Sequence, residues 1–273
     1  MMGQENFRRP SLRRPDPFHM TLVGLVALIV AYIGLLFFSQ ITYLTLGTLL
    51  DSLKDKEIWF ALGLSLKTSF WAAGIAVFFG TPIAYFLARN HFRGKILVDT
   101  LLDLPTVISP VALGAVLLIF FNTPLGLWVQ ERLFPVVFNV TGIIVAQATI
   151  TLSLVIRLVK AVFETIDPHF EIAARVLGEN RWGTFWRVTL PLARPGILSA
   201  FILAWARALG EFGATVTLAG ATKFKTETLP IAIYLNLASV RIEKAVVLIW
   251  ILIILSCLVL LSVRYLYRRG IYF

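Results

Sequence analysis

Residues 171–191, EIAARVLGENRWGTFWRVTLP, form a polar and aromatic island between two long apolar runs. Asp167 and Pro168 just ahead of it are a helix start, since an Asp side chain accepts orphan N–H bonds and Pro is tolerated at the first helical position. The spacing predicts a helix to about Leu177, with Gly178 at the left-handed position that ends it. A second short helix carrying Trp182, Phe185 and Trp186 is expected to end ahead of Pro191. The product is a helix-turn-helix held outside a membrane.

The flanking runs set the class. Of 273 residues, 58% are hydrophobic and 15% charged, with a mean hydropathy of +0.84, far more apolar than a soluble domain. The single cysteine, Cys257, excludes a disulfide framework or a cysteine metal site. His19, His91 and His169 stand in separate segments without ligand spacing.

Working outward, residues 1–19 form a basic tail with Arg8, Arg9, Arg13 and Arg14. The apolar run at 20–39 is read as a retained first transmembrane helix, because it is long for a signal-peptide core and Ser39-Gln40-Ile41 offers no small-x-small cleavage site. Five further spans are expected at 58–88, 101–121, 136–158, 194–218 and 244–265, each long enough to cross a bilayer core. They make up a core at 58–266, with the polar island inside a connecting loop at 159–193 and a short end at 267–273. Pro82 is expected to kink the second span, and Pro105 with Pro110 to bend a short helix near 98–104 into the third. Residues 122–139 are expected to form a loop.

Six spans place both termini on one side. Sixteen cationic side chains then share that side: the four tail arginines, Arg89, Arg93, Lys95, Arg157, Lys160, Arg175, Arg181, Arg187, Arg194, Arg264, Arg268 and Arg269. Seven lie opposite: Lys54, Lys56, Arg132, Lys223, Lys225, Arg241 and Lys244. The positive-inside rule makes the first side cytoplasmic. It also accounts for most of the +10 net charge, which is therefore no argument for nucleic acid.

No phosphate-binding loop, nucleophile triad or paired carboxylates are visible, so the chain is not expected to be an enzyme or to carry a cofactor or metal. The intramembrane polar residues are the better lead. Arg207 falls near the middle of the fifth span, and Arg207, Glu211 and Thr215 are spaced to share one helical face. Gln147 and Thr151 repeat that spacing in the fourth span. Such faces either line a solute path or form a structural ion pair and interhelical hydrogen bonds. Lys67, in the outer half of its span, is read as snorkelling. Trp182, Phe185 and Trp186 suit an interfacial belt or a docking surface.

The opening stretch resembles the EAA loop of ATP-binding-cassette (ABC) importer permeases: EAA, three residues, Gly, nine residues, Ile, any residue, Leu-Pro. Ala173, Ala174, Gly178, Leu190 and Pro191 match in register, with Val188 in place of the Ile. Ile172 stands at the motif's Glu position and Glu171 one residue earlier, a displacement of about 100° around a helix. The resemblance extends over about residues 64–234. Ser65-Leu66-Lys67, Leu87-Ala88-Arg89, Phe92-Arg93-Gly94-Lys95, Leu104-Pro105 and Ser109-Pro110 are similar to the oxyanion branch, and 206–215, ARALGEFGAT, resembles molybdate permeases more than sulfate permeases.

That resemblance implies an all-α integral membrane protein of the type I ABC importer permease fold, with six transmembrane helices and a cytoplasmic coupling helix-turn-helix. It implies two cytoplasmic ATPases that bind ATP and Mg, a second permease copy as a homodimer, and an external solute-binding protein. Glu171, Ala173, Ala174, Gly178, Arg181 and Trp182 become the expected coupling residues, and Gln147, Thr151, Arg207, Glu211 and Thr215 the expected pathway. The implied cargo is molybdate or tungstate, with sulfate as the alternative. A non-transport docking or signalling membrane protein would need an extramembrane domain that the sequence does not display.

Overall fold

The computed structural model describes residues 17–268 and divides into two units, residues 1–46 and 47–273. The first holds α1 (Pro17–Phe38), which ends in a 3-10 turn at Ser39–Tyr43. Its 22 residues extend about 33 Å at 1.5 Å per residue, enough to cross the apolar core of a bilayer. Almost every side chain on it is exposed, as suits a helix that is apolar all round and built for lipid or another chain. The tail at 1–16 and the end at 269–273 lie outside the described residues.

Next comes α2 (Leu46–Lys54), all but its first residue in the second unit, followed by the 34-residue α3 (Lys56–Arg89). Asp55 caps α3 by accepting the Glu57 N–H at 2.8 Å. The helix is continuous through Gly80 and Pro82. Gly80 serves close packing: a methyl group at this position would lie 2.9 Å from Val155 Cγ1. Ala73, Ala76 and Ala84 join Val155, Val159 and Phe163 in the same buried cluster, the small-residue contact that lets apolar helices approach closely in a membrane.

The bend expected at Pro105 and Pro110 falls just ahead of Pro110, and it divides the span expected at 101–121 into two helices. They are α4 (Lys95–Val107) and α5 (Pro110–Phe121), bent by 109°. The helix passes Pro105 and stops where Pro110 drives Ser109 into an extended conformation, ψ 140°. Ser109 then caps α5 through the Ala112 N–H. The supposed loop at 122–139 contains α6 (Pro124–Arg132). Then α7 (Val140–Thr165) holds α4 at three points: Lys160 to Asp99 at 2.9 Å, Arg157 to Asp103 at 3.3 Å, and Ser153 to the Leu102 carbonyl.

Next come α8 (His169–Val176), α9 (Arg181–Thr184), a π-turn at Phe185–Thr189 and α10 (Leu190–Leu209). The second helix of the island therefore does not end ahead of Pro191. It continues as one rod, Arg181–Leu209, of 29 residues. The Leu190 N–H reaches back to Phe185 O, and this wider turn accommodates the proline ring, which clashes with a carbonyl at i−4 in a regular α-turn.

The expected fifth span at 194–218 is also interrupted. After α10 stops at Leu209, α11 (Gly213–Ala219) follows a three-residue break. The unit closes with α12 (Leu229–Ala238) and α13 (Ile242–Arg268). Among the described residues five helices are long and apolar enough to cross a membrane, or six with the α4–α5 pair as one broken span.

Candidate functional site: a docking turn and a polar corner

At the end of α3 that carries Arg89, α8 and α9 form the turn anticipated from the sequence. Asp167 accepts the His169 N–H at 2.9 Å; that bond and the His169 ring hold its carboxyl below the usual range. Gly178 has φ +96°. Its N–H bonds to Arg175 O while the Glu179 N–H bonds to Ala174 O, both at 3.1 Å, so the last carbonyls of α8 are satisfied in a left-handed cap that favours glycine. Asn180 starts α9 by accepting the Gly183 N–H.

The carboxylate of this turn faces inward. Glu171 is 5% exposed and accepts Arg89 Nε at 2.8 Å and the Tyr85 hydroxyl at 3.1 Å. Arg89 also donates to the Ile166 carbonyl, so one guanidinium ties the end of α7 and the start of α8 to α3. In the sequence Arg89 counted as one of many basic residues and as part of the Leu87-Ala88-Arg89 resemblance, with no partner assigned. The signal available was its spacing from Tyr85, one helical turn away.

Of the six expected coupling residues, Ala173, Gly178, Arg181 and Trp182 lie on the exposed side, while Glu171 and Ala174 face the protein. Ile172 is exposed, together with Phe170, Val176 and Leu177. A cavity of about 590 Å³ opens beside this surface, lined by Tyr85, Arg89, Glu171, Ile172, Arg175 and Arg181 among others.

The second centre is the corner between α10 and α11. Arg207, Glu211 and Thr215 do not share one helical face, because Glu211 lies in the break and Thr215 on α11. The break is held by side chains that replace helical hydrogen bonds. Glu211, 2% exposed, accepts Arg207 at 2.7 Å with one oxygen and the Ala214 N–H at 3.1 Å with the other. Gln147 donates from α7 to the Ala208 carbonyl at 3.1 Å. Thr151 donates back to Gln147 O. Buried polar groups in a dry interior require such partners, yet Gln147 Oε1 and Thr215 Oγ1 have none. Arg207 differs from the other four expected pathway residues: its side chain is 40% exposed, whereas Gln147, Thr151, Glu211 and Thr215 are buried.

The backbone packs tightly at this corner. A methyl group on Gly114 would lie 2.8 Å from the backbone of Ala214, so α5 and α11 meet where only glycine fits.

Broken spans around a half-buried ion pair, joined by one helix to an exposed apolar turn, define a polytopic membrane protein of the transporter class. Residues 80–271 match the family of the binding-protein-dependent transport system inner membrane component, and the chain belongs to that family. It is 40% identical over 187 residues to the molybdenum transport system permease protein ModB of Escherichia coli strain K12, covering 67% of this chain and 80% of that one. It is 37% identical over 198 residues to the sulfate transport system permease protein CysW of Synechocystis, covering 72% of each. Its fold matches that in the crystal structure of a bacterial alginate ABC transporter bound to its periplasmic protein, with a TM-score of 0.73, 18% identity, and coverage of 92% of this chain and 93% of the other. The fold is that of a type I ABC importer permease.

Proposed function

We propose that this chain carries a tetrahedral oxyanion, molybdate or tungstate, into the cytoplasm as the permease subunit of an ATP-driven importer. The observation that carries the reading is Arg207: a half-exposed guanidinium set at a break in an apolar span, beside a carboxylate whose oxygens are already engaged. Guanidinium donors left over from the Glu211 bond suit an oxyanion. The 40% identity to molybdenum permeases favours molybdate. The 37% identity to a sulfate permease favours sulfate as the second reading.

Two ATPase subunits that bind ATP and Mg, a second copy of this chain and an external solute-binding protein complete the assembly; this chain itself hydrolyses nothing. The exposed apolar surface of Phe170, Ile172, Val176, Leu177 and Trp182 suits an ATPase cleft, with Ala173 and Gly178 permitting close seating and Arg181 at the edge. The excess of cations on this side supports a cytoplasmic location for the turn and for both termini. Alternating access follows from the rod Arg181–Leu209, about 43 Å long at 1.5 Å per residue. It carries Trp182 at one end and Arg207 at the other, so a displacement of the docked turn is delivered to the polar corner.

Purification of the tagged chain tests the assembly. An untagged ATPase is expected to co-purify in equal ratio to the permease; a stable permease that retains no ATPase contradicts it.

A further inference from the structure

A second buried charge cluster lies at the opposite end of α3 from the docking turn, where the connection between α11 and α12 folds back. Glu57, 7% exposed, accepts Lys244 at 2.9 Å, Lys223 at 3.3 Å and Asn236 at 3.4 Å. Asp55 pairs with Lys244 as well. Glu227 is completely buried in the connection. One of its oxygens accepts the Phe224 N–H at 3.2 Å, and the other, Oε1, has no partner.

The charges do not balance. Lys223 and Lys244 already answer Asp55 and Glu57, so Glu227 is a third carboxyl beside Glu57 without a cation in contact. A buried carboxylate in that position is costly, and a proton on Oε1 removes the cost. The charged groups that act on Glu227 are Glu57 at the start of α3 and Lys223 in its own turn; Lys244 on α13, with Asp55, and the neutral Asn236 of α12 connect to it through Glu57. Burial, with the Glu57 carboxylate beside it, pushes Glu227 up to about 6.

The connection is otherwise well ordered. Thr226 accepts the Thr222 N–H and donates to Gly220 O, and the Leu229 N–H bonds to Ser65 on α3 at 2.7 Å. Phe224 takes a left-handed conformation, φ 53°, and packs against Phe60 with ring centroids 5.6 Å apart. Non-glycine residues adopt that conformation at a cost, so the turn depends on contacts such as the Glu227 bond to the Phe224 N–H.

We infer that the connection at 220–228 is a proton-operated latch: protonated Glu227 lets it seat against α3, and ionised Glu227 repels Glu57 and releases it. Because the connection joins α11, whose first turn Glu211 caps, to α12, release loosens the far side of the polar corner. The consequence for uptake rests on the permease reading, but the latch itself does not.

Spin labels at Lys225→Cys and Arg241→Cys, in a Cys257→Ser background, test it by pulsed electron resonance on the purified protein in nanodiscs. The interlabel distance distribution is expected to be narrow at about pH 5 and about twofold broader at about pH 7.5. Glu227→Gln, which imitates the protonated acid, is expected to stay narrow at both. A wild-type distribution indifferent to pH overturns the latch, as does a Glu227→Gln protein that broadens as the wild type does. Neither outcome depends on whether the protein transports an oxyanion.

Discussion

Arg89 Nε lies 2.8 Å from Glu171 Oε1, so the carboxylate of the docking helix is spent on holding that helix to α3. The pair is largely buried, with side-chain exposures of 14% and 7%. Ile172, at the position where the family motif has its Glu, is exposed instead. The proposed docking at this turn would therefore rest on apolar surface, with the carboxylate positioning the helix from behind.

Breaking this pair from one side leaves an uncompensated buried charge, at a cost of about 3–5 kcal/mol. Glu171→Leu or Arg89→Met alone is expected to lower the thermal midpoint in detergent sharply, and the double variant to recover much of the loss. Strictly additive losses would show that the two side chains do not act as a pair.

A substitution at Gly178 tests the proposed coupling role apart from folding. A Cβ there meets nothing within 4 Å, and Asp tolerates the left-handed conformation better than most residues. Gly178→Asp should fold and reach the membrane while placing a charge on the docking surface. ATP hydrolysis measured beside uptake in proteoliposomes should then show hydrolysis without transport. Normal uptake by the variant removes Gly178 from the coupling surface.

At Gly114 the expected effect is on stability and corner geometry. A methyl group would lie 2.8 Å from Ala214 Cα, its carbonyl oxygen and Thr217 Cβ, none of them the free end of a flexible side chain. Gly114→Ala should cost about 1–3 kcal/mol, as overpacking does elsewhere, read as a lower denaturation midpoint. An unchanged midpoint would mean that α5 and α11 separate freely.

Arg207 either contacts the solute or only neutralises Glu211, and a double substitution distinguishes these roles. Arg207→Gln alone leaves Glu211 buried and unpaired, so loss of uptake by itself decides nothing. In Arg207→Gln with Glu211→Gln both charges are gone. If Arg207 binds the anion, uptake stays down about tenfold or more, the worth of one charge-assisted hydrogen bond. Recovery to near wild-type uptake would make the pair purely structural.

The pH dependence of stability has a definite sign. Glu227 rises from 4.5 to about 6 in the folded protein, so the native state holds this proton more tightly than the unfolded chain. Its contribution is fully present below 4.5, declines as pH rises through about 6, and is absent above that. The thermal midpoint of wild type minus that of Glu227→Gln should fall across this window. A difference that rises with pH would reverse the assignment.

The apolar segments were legible because hydropathy reports burial in lipid directly, and the turn was legible because Asp167, Pro168 and Gly178 act through local backbone geometry. What the sequence concealed depends on tertiary partners. The i, i+4 spacing of Arg207, Glu211 and Thr215 suits an unbroken helix, but Gln147 takes the Ala208 carbonyl from another helix and Glu211 takes the Ala214 N–H. The break is thus stabilised by residues that a local reading assigns to a helical face. Pro191 misled in the other direction, since a π-turn carries the helix past it. The Glu57–Lys244 pair spans 187 positions, a separation at which local periodicity carries no information.

Uptake of labelled molybdate tests the central claim most directly, in proteoliposomes holding this chain with its ATPase and solute-binding protein. ATP-dependent accumulation is expected, suppressed by excess tungstate and far less by excess sulfate. Undiminished accumulation under excess tungstate together with its loss under excess sulfate would contradict the substrate assignment, and no ATP-dependent accumulation at all would contradict transport.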